Sequence, residues 1–85
     1  MTAYELRRKY KENNPDGHYF DVNTLRFFGE DMESMEVQKD LETVKDYRGK
    51  EHLCYVLVSL QRNHPDGETW VKHYFDSQTY DYLPI

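Results

Sequence analysis

The sequence predicts an α+β fold, in which an N-terminal helix and a short second helix pack on a three- to four-stranded antiparallel β-meander. Three observations predict it: a capped amphipathic stretch at 2–13, a loosely alternating stretch at 35–44, and a long apolar run with a turn signal within 51–76. Eighty-five residues suit one small domain, so we treat 1–85 as a single unit.

The first helix is predicted over 2–13. Thr2 and Glu5 have the spacing of a capping box, in which a hydroxyl and a carboxyl satisfy the free N–H groups of the first turn. Leu6 and Tyr10 then fall on one face, while basic residues occupy the others. The Asn-Pro pair that follows ends the helix.

The second helix is short. Asp21 or Asn23 can cap it, and Gly29 is predicted to stop it, because glycine adopts the left-handed conformation at no steric cost. A longer helix is the alternative, since Met32 and Met35 continue the helical spacing of apolar residues. That extension would cost about 1 kcal/mol for a glycine inside the helix. A short extended piece is predicted just before it, at 18–20.

The strands follow in the second half of the chain. The 35–44 stretch reads as an edge strand with one wet face. The run at 53–60 is apolar, β-branched and aromatic, and Pro65 with Gly67 sets a tight turn before its partner strand. A last strand is predicted within 78–83.

The charge is acidic and unevenly placed. The formal net charge is −5, and residues 30–46 alone also sum to −5. Cys54 is the only cysteine and lies inside the apolar run, which predicts a buried small hydrophobe in a reducing compartment. No stretch has the length and apolarity of a membrane span, so we expect a cytoplasmic protein without a membrane partner.

Catalytic and metal motifs are weak in this sequence. His18 with Asp21, or His73 with Asp76, supplies two ligands each, but no zinc-like spacing links them. Cys54 has no neighbouring histidine in sequence, and burial would raise its pKa. The four glycines are isolated, so no phosphate loop is present. We therefore expect a non-enzymatic protein with no metal and no cofactor.

Nucleic-acid binding is the alternative function. The basic helix 2–13 would contact phosphates, and sheet aromatics would stack on bases. The aromatics in question are Tyr55, Trp70, Tyr74, Phe75, Tyr80 and Tyr82. The competing interpretation places Trp70 and Phe75 in the core, with the tyrosines at its edge. The sheet segments carry few cations, which favours the second interpretation.

A protein-contact surface is the leading interpretation of the remaining pattern. Acidic side chains would steer a partner with a basic surface, and tyrosines would anchor it. The candidate steering residues are Glu30, Asp31, Glu33, Glu36, Asp40 and Glu42. The candidate anchors are Tyr47, Tyr80 and Tyr82. A homodimer formed by pairing strand edges is compatible with this interpretation.

The segment His18–Gly29 resembles the opening of a loosely defined group of small proteins from bacteriophages and mobile elements. Their pattern is a short helix, then a Gly-His-Phe-Phe-like segment, then Asp-x-x-Thr-Met-Arg-Phe-Phe-Gly, and Leu25 here replaces the methionine. The matching residues are Gly17, Asp21, Thr24, Arg26, Phe27, Phe28 and Gly29. The resemblance covers about a third of the chain and transfers no catalytic residue. Arg26 has no obvious packing role, so it either pairs with Asp21 or faces a partner.

Together these features predict an accessory protein of a phage or mobile element, acting in the cytoplasm of a bacterial host. It would bind a host or defence protein with a basic surface. One form of this function is inhibition of a nucleic-acid-handling complex, in the manner of an anti-CRISPR protein.

Overall fold

The computed structural model describes the whole backbone and all side chains except those of residues 62–64. It confirms the α+β class, with two helices packed on an antiparallel sheet. In chain order the elements are α1 (Ala3–Asn13), α2 (Val22–Phe28), a 3-10 turn (Met32–Ser34), β1 (Met35–Val37), β2 (Glu42–Lys45), β3 (Glu51–His64), β4 (Gly67–Asp76) and β5 (Tyr82–Leu83).

The first helix begins as predicted. The Thr2 hydroxyl accepts a hydrogen bond from the Glu5 N–H at 3.2 Å, which satisfies one free donor of the first turn. Ala3, Leu6 and Tyr10 are the buried residues of α1. They pack on the sheet, while the basic side chains lie toward solvent or on the flanks of the helix.

The second helix stops at Gly29, so the alternative of a longer helix is wrong. Gly29 has φ 70°, and the Glu30 N–H returns to the Leu25 carbonyl at 2.8 Å, which closes the helix end. Asp21 occupies the cap position, but its side chain makes no capping hydrogen bond. Its carboxyl instead contacts Lys11 Nζ and His18 Nδ1.

The predicted extended piece at 18–20 is a turn, in which the Asp21 N–H donates to the His18 carbonyl at 3.1 Å. A turn buries Tyr19 and Phe20 together beneath the helices, which a strand would place on opposite sides. Tyr19 stacks on Tyr82 at 4.7 Å, and Phe20 stacks on Phe75 at 5.5 Å.

The sheet has five strands because the predicted edge strand is broken. Strand β3 is central: β1 pairs with its Leu57–Ser59 stretch, β2 pairs with 51–54, and β4 pairs along its other side. Residues 38–41 belong to neither strand, although the Gln38 N–H still donates to the Val56 carbonyl at 2.8 Å. The last strand is shorter than predicted, since β5 pairs only with Tyr74 and Phe75.

Alternation along β3 and β4 gives the sheet two different faces. The inner face carries Leu57 and Phe75, both fully buried beneath the helices. The outer face carries Trp70, which is 60% exposed. The prediction that Trp70 fills the core is therefore wrong, because its place in the alternation directs it away from the helices.

Cys54 lies on the outer face and is fully buried, as predicted. Burial is the main cause that raises the pKa of the Cys54 thiol, and the nearby Asp76 carboxyl raises it further. A thiol in this state is a poor nucleophile at neutral pH.

Among the described residues, no helix has the length and apolar character needed to cross a membrane.

Candidate partner-binding groove

An open groove of about 550 Å³ lies where the start of α1 meets the 3-10 turn and β1. Its apolar lining includes Met1, Tyr4, Met32 and Val37. The exposed fractions are 45% for Met1 and 56% for Tyr4, so apolar surface is open to a ligand at this place. We call this feature the N-terminal groove.

Two of the predicted steering residues, Glu33 and Glu36, line the N-terminal groove. Both are exposed, and neither carboxyl makes an ion pair with a described residue. Asp31 precedes them, and its carboxyl accepts a hydrogen bond from the Glu33 N–H at 3.0 Å. The groove therefore combines an apolar lining with free negative charge.

Two further acidic candidates lie outside the groove. Asp40 is exposed in the 38–41 excursion. The Glu42 carboxyl accepts hydrogen bonds from Gln38 Nε2 at 3.2 Å and Lys72 Nζ at 3.3 Å. The hydrogen bond from Gln38 is the main cause that holds the pKa of Glu42 below its usual value, and the contact with Lys72 adds to it, despite partial burial. Glu42 is therefore already paired within the chain.

Glu30 is buried, which removes it from the steering set. Its side chain is 0% exposed, and Oε1 lies 2.5 Å from His73 Nε2 and 3.0 Å from Ser59 Oγ. Its other oxygen, Oε2, accepts a hydrogen bond from the Tyr19 hydroxyl at 3.4 Å. The helix stop at Gly29 turns Glu30 inward beneath the helices, so it serves packing instead of a partner.

The Glu30, Ser59 and His73 cluster has the residue types of a hydrolytic triad but a different geometry. Ser59 Oγ lies 3.0 Å from His73 Nε2, the same ring nitrogen that contacts Glu30. A triad needs the carboxyl on the other ring nitrogen, so that the imidazole can pass a proton from the hydroxyl. Ser59 is also fully buried, so this cluster has a structural role.

The pKa values of two phenol groups near this cluster, those of Tyr19 and Tyr82, are raised. Burial is the main cause that raises the pKa of Tyr19 far above its ordinary value, and the neighbouring Glu30 carboxyl raises it further. The same two causes, in the same order, raise the pKa of Tyr82. Tyr82 packs against the core, so this candidate anchor has a core role.

The remaining candidate anchors do not meet at one place. Tyr80 stacks on Tyr55 at 5.6 Å, and Lys9 lies over its ring. Tyr47 is 81% exposed in the turn between β2 and β3. That turn lies about 20 Å along β3 from the residues that pair with β1, so Tyr47 is remote from the N-terminal groove.

Arg26 is exposed on α2 and forms no ion pair with a described side chain. The expected alternative pairing with Asp21 is absent within the described part of the chain, because Lys11 and His18 contact that carboxyl. Arg26 therefore keeps only the second of its two predicted roles, that of a side chain available to a partner.

The features of the nucleic-acid alternative are divided between the two faces of the sheet: Tyr80 lies beside the basic helix, under Lys9, but Trp70 does not. Helix α1 covers the inner face of the sheet, whereas Trp70 lies on the outer face. Of the basic residues on α1, Lys11 contacts Asp21 and Lys9 lies over Tyr80. A single strand would have to pass around the sheet edge to contact both the helix and Trp70.

The two candidate histidine pairs also differ from what a metal needs. His18 Nδ1 is 2.8 Å from Asp21 Oδ2, and the same carboxyl contacts Lys11. His73 and Asp76 lie on opposite faces of β4, so they cannot share an ion. Across the side chains that the structure describes, no group of three or more suitable ligands is found.

His52 forms a bridge that sequence reasoning missed. Its Nε2 lies 2.8 Å from Asp46 Oδ2, and its Nδ1 lies 2.7 Å from Asp76 Oδ2. The contact with Asp46 is the main cause that raises the pKa of His52, and the contact with Asp76 raises it further. The hydrogen bond with His52 is the main cause that lowers the pKa of Asp46. For Asp76, partial burial opposes the shift, but hydrogen bonds from His52 and two backbone N–H groups hold the pKa low.

This bridge predicts a pH-dependent stability. A raised histidine pKa stabilises the fold below the ordinary value of 6.5 and ceases to do so as pH rises through the folded value. The lowered Asp pKa values stabilise it above 3.8 and cease to do so in stronger acid. Urea unfolding should therefore show a higher free energy of unfolding at pH 5.5 than at pH 8.5, a difference that His52→Gln reduces. An equal pH dependence in His52→Gln would contradict this assignment.

Sequence reasoning identified Glu33 and Glu36 from the acidic run but missed the apolar lining beside them. Met1 precedes α1, Met32 lies in the 3-10 turn and Val37 ends β1, so no local pattern unites them. Only the packing of α1 beside β1 shows that they share one groove.

No protein-family model, curated protein or solved structure matches this chain.

Proposed function

We propose that this chain is a non-enzymatic binding protein whose N-terminal groove accepts a basic segment of another protein. The observation that carries the proposal is the placement of two unpaired carboxyls, Glu33 and Glu36, beside the exposed apolar surface of Met1, Tyr4 and Met32. A segment with an aliphatic side chain between Lys or Arg residues has the complementary chemistry.

The two parts of the groove would act differently. Apolar burial against flexible methionine side chains supplies affinity and tolerates some variation in the partner's shape. The carboxyls, within a chain of net charge −5, raise the association rate with a cationic surface and disfavour acidic partners. Glu33 and Glu36 are therefore recognition residues, and Asp31 and Asp40 add to the field around them.

The partner class we propose is a host or defence protein whose basic surface normally contacts nucleic acid. The resemblance of residues 18–29 to proteins of phages and mobile elements supports this class, as does the acidic bias. Occupying such a surface would exclude nucleic acid, and a complex of the CRISPR type is one target that this would inhibit. The site of action would then be the bacterial cytoplasm.

The test is affinity capture from bacterial lysate, with and without nuclease, using three forms of the protein. The first is the wild type, and the second reverses the groove charges with Glu33→Lys and Glu36→Lys. The third is a control with the same change in net charge, Glu12→Lys and Asp16→Lys, at two exposed positions away from the groove.

The proposal predicts a stoichiometric protein that survives nuclease, that the wild type and the control retain, and that the groove variant loses. Equal capture by all three forms would place the contact elsewhere. Recovery of nucleic acid alone, lost as salt rises, would favour the nucleic-acid alternative instead.

A further inference from the structure

The free edge of β4 is a second surface, separate from the N-terminal groove. Strand β5 pairs only with Tyr74 and Phe75, so within the described structure no strand covers β4 from Gly67 to His73. An uncovered edge leaves backbone N–H and C=O groups ready to pair with another strand. Native proteins commonly cover an exposed strand edge of this length or protect it with charged residues or bulges, so we expect another strand to pair with this edge.

A hydrogen bond to the residue just before β5 shows which residues of β4 direct their backbone groups outward. The Asp76 N–H donates to the Asp81 carbonyl at 2.9 Å, so Asp76 directs its N–H away from β3. Direction alternates along a strand, and β4 pairs with β3 without a shift from Thr69 to Asp76. The backbone groups of Trp70 and Lys72 therefore point toward the free edge, and continuing the alternation places those of Glu68 there as well.

The side chains along this edge are complementary to themselves. Glu68 and Lys72 lie two residues before and two residues after Trp70, and all three belong to the outer face. If two copies of β4 pair in antiparallel fashion about a two-fold axis at Trp70, Glu68 of each copy faces Lys72 of the other. Thr69 then faces Val71 on the inner face, where both side chains tolerate a sheet environment.

We propose that the chain forms a homodimer by antiparallel pairing of β4 with β4 of a second copy, centred on Trp70. Pairing would join the two sheets into one and place two exposed tryptophans side by side. Each copy of Glu68 would gain a cation, which it lacks among the described residues, while Lys72 has a half-exposed side chain and only a 3.3 Å contact with Glu42. A second copy fits this edge because the two-fold axis places the negative end of each charge pattern opposite the positive end of the other.

The test uses two charge reversals: each alone is predicted to weaken the dimer, and the two together are predicted to restore it. Glu68→Lys opposes two lysines across each half of the dimer, and Lys72→Glu opposes two glutamates. Each variant alone should weaken the dimer by about tenfold or more, because the two-fold axis applies each change twice. An equimolar mixture of the two variants should form a heterodimer, and the double variant should recover the homodimer. Glu12→Lys is the control that matches the charge change of Glu68→Lys.

Sedimentation velocity over a concentration series measures the result against the 10.3 kDa mass of one chain. The expected result is a dimer for the wild type, the Glu12→Lys control, the double variant and the mixture, with monomers for each single reversal. Circular dichroism of the single reversals checks that they are folded. A monomeric wild type, single reversals that dimerise as well as the wild type, or a mixture that stays monomeric would each overturn the proposal.

Discussion

Glu30→Ala is expected to lower the free energy of unfolding by about 3 kcal/mol or more. The Glu30 side chain is fully buried and contacts His73, Ser59 and Tyr19 through its two oxygens. Removing the carboxyl leaves the Tyr19 hydroxyl without its acceptor, and leaves Ser59 and His73 with only each other as partners, in a site that water does not reach. A small domain has little stability to spare, so a sizeable fraction of unfolded chain should accumulate at moderate temperature.

Urea unfolding at neutral pH measures this loss. Glu30→Gln keeps the shape and one acceptor oxygen, so its loss should be smaller than that of alanine. Glu36→Ala removes an exposed carboxyl with no ion pair among the described residues, and it should stay within about 0.5 kcal/mol of the wild type. A loss in Glu30→Ala no larger than in Glu36→Ala would show that the buried cluster does not stabilise the fold.

The paired reversal Glu33→Lys and Glu36→Lys is expected to reduce the association rate with the captured partner by about tenfold or more at low salt. Two carboxyls that attract a cationic segment become two ammonium groups that repel it. The effect should shrink as salt rises, because the Debye length falls to about 8 Å at physiological ionic strength. The dissociation rate should change less, since the apolar lining remains.

Surface plasmon resonance across a salt series measures both rates. The Glu12→Lys and Asp16→Lys control makes the same change in net charge away from the groove, so its association rate should fall less. If the two variants slow association equally, the overall charge steers the partner and the groove has no special part in it. An unchanged association rate in both variants would remove electrostatic steering altogether.

The sequence predicted those parts of the fold that local chemistry determines. The N-cap at Thr2, the helix stop at Gly29 and the turn between β3 and β4 each depend on residues close in sequence, and the structure has all three. The break between β1 and β2 was missed because loose alternation continues through residues 38–41. The short turn at 18–20 was missed because aromatic residues are also typical of strands.

The candidate site was less predictable because its parts come from different elements. Exposure separates Glu33 from Glu30, which are three residues apart and have the same side chain. The prediction treated both as surface charges, since a buried carboxyl is rare without partners. The partners of Glu30, Ser59 and His73, lie on two later strands, and no sequence pattern near Glu30 predicts these contacts.

Photo-cross-linking from position 4 tests the proposed function most directly. A benzophenone-bearing phenylalanine can replace Tyr4, which lines the N-terminal groove, or Tyr47, which is more exposed but remote from it. We expect the captured partner to cross-link through position 4, at a segment containing Lys or Arg, and not through position 47. Cross-linking through position 47 with none through position 4 would contradict the proposed function.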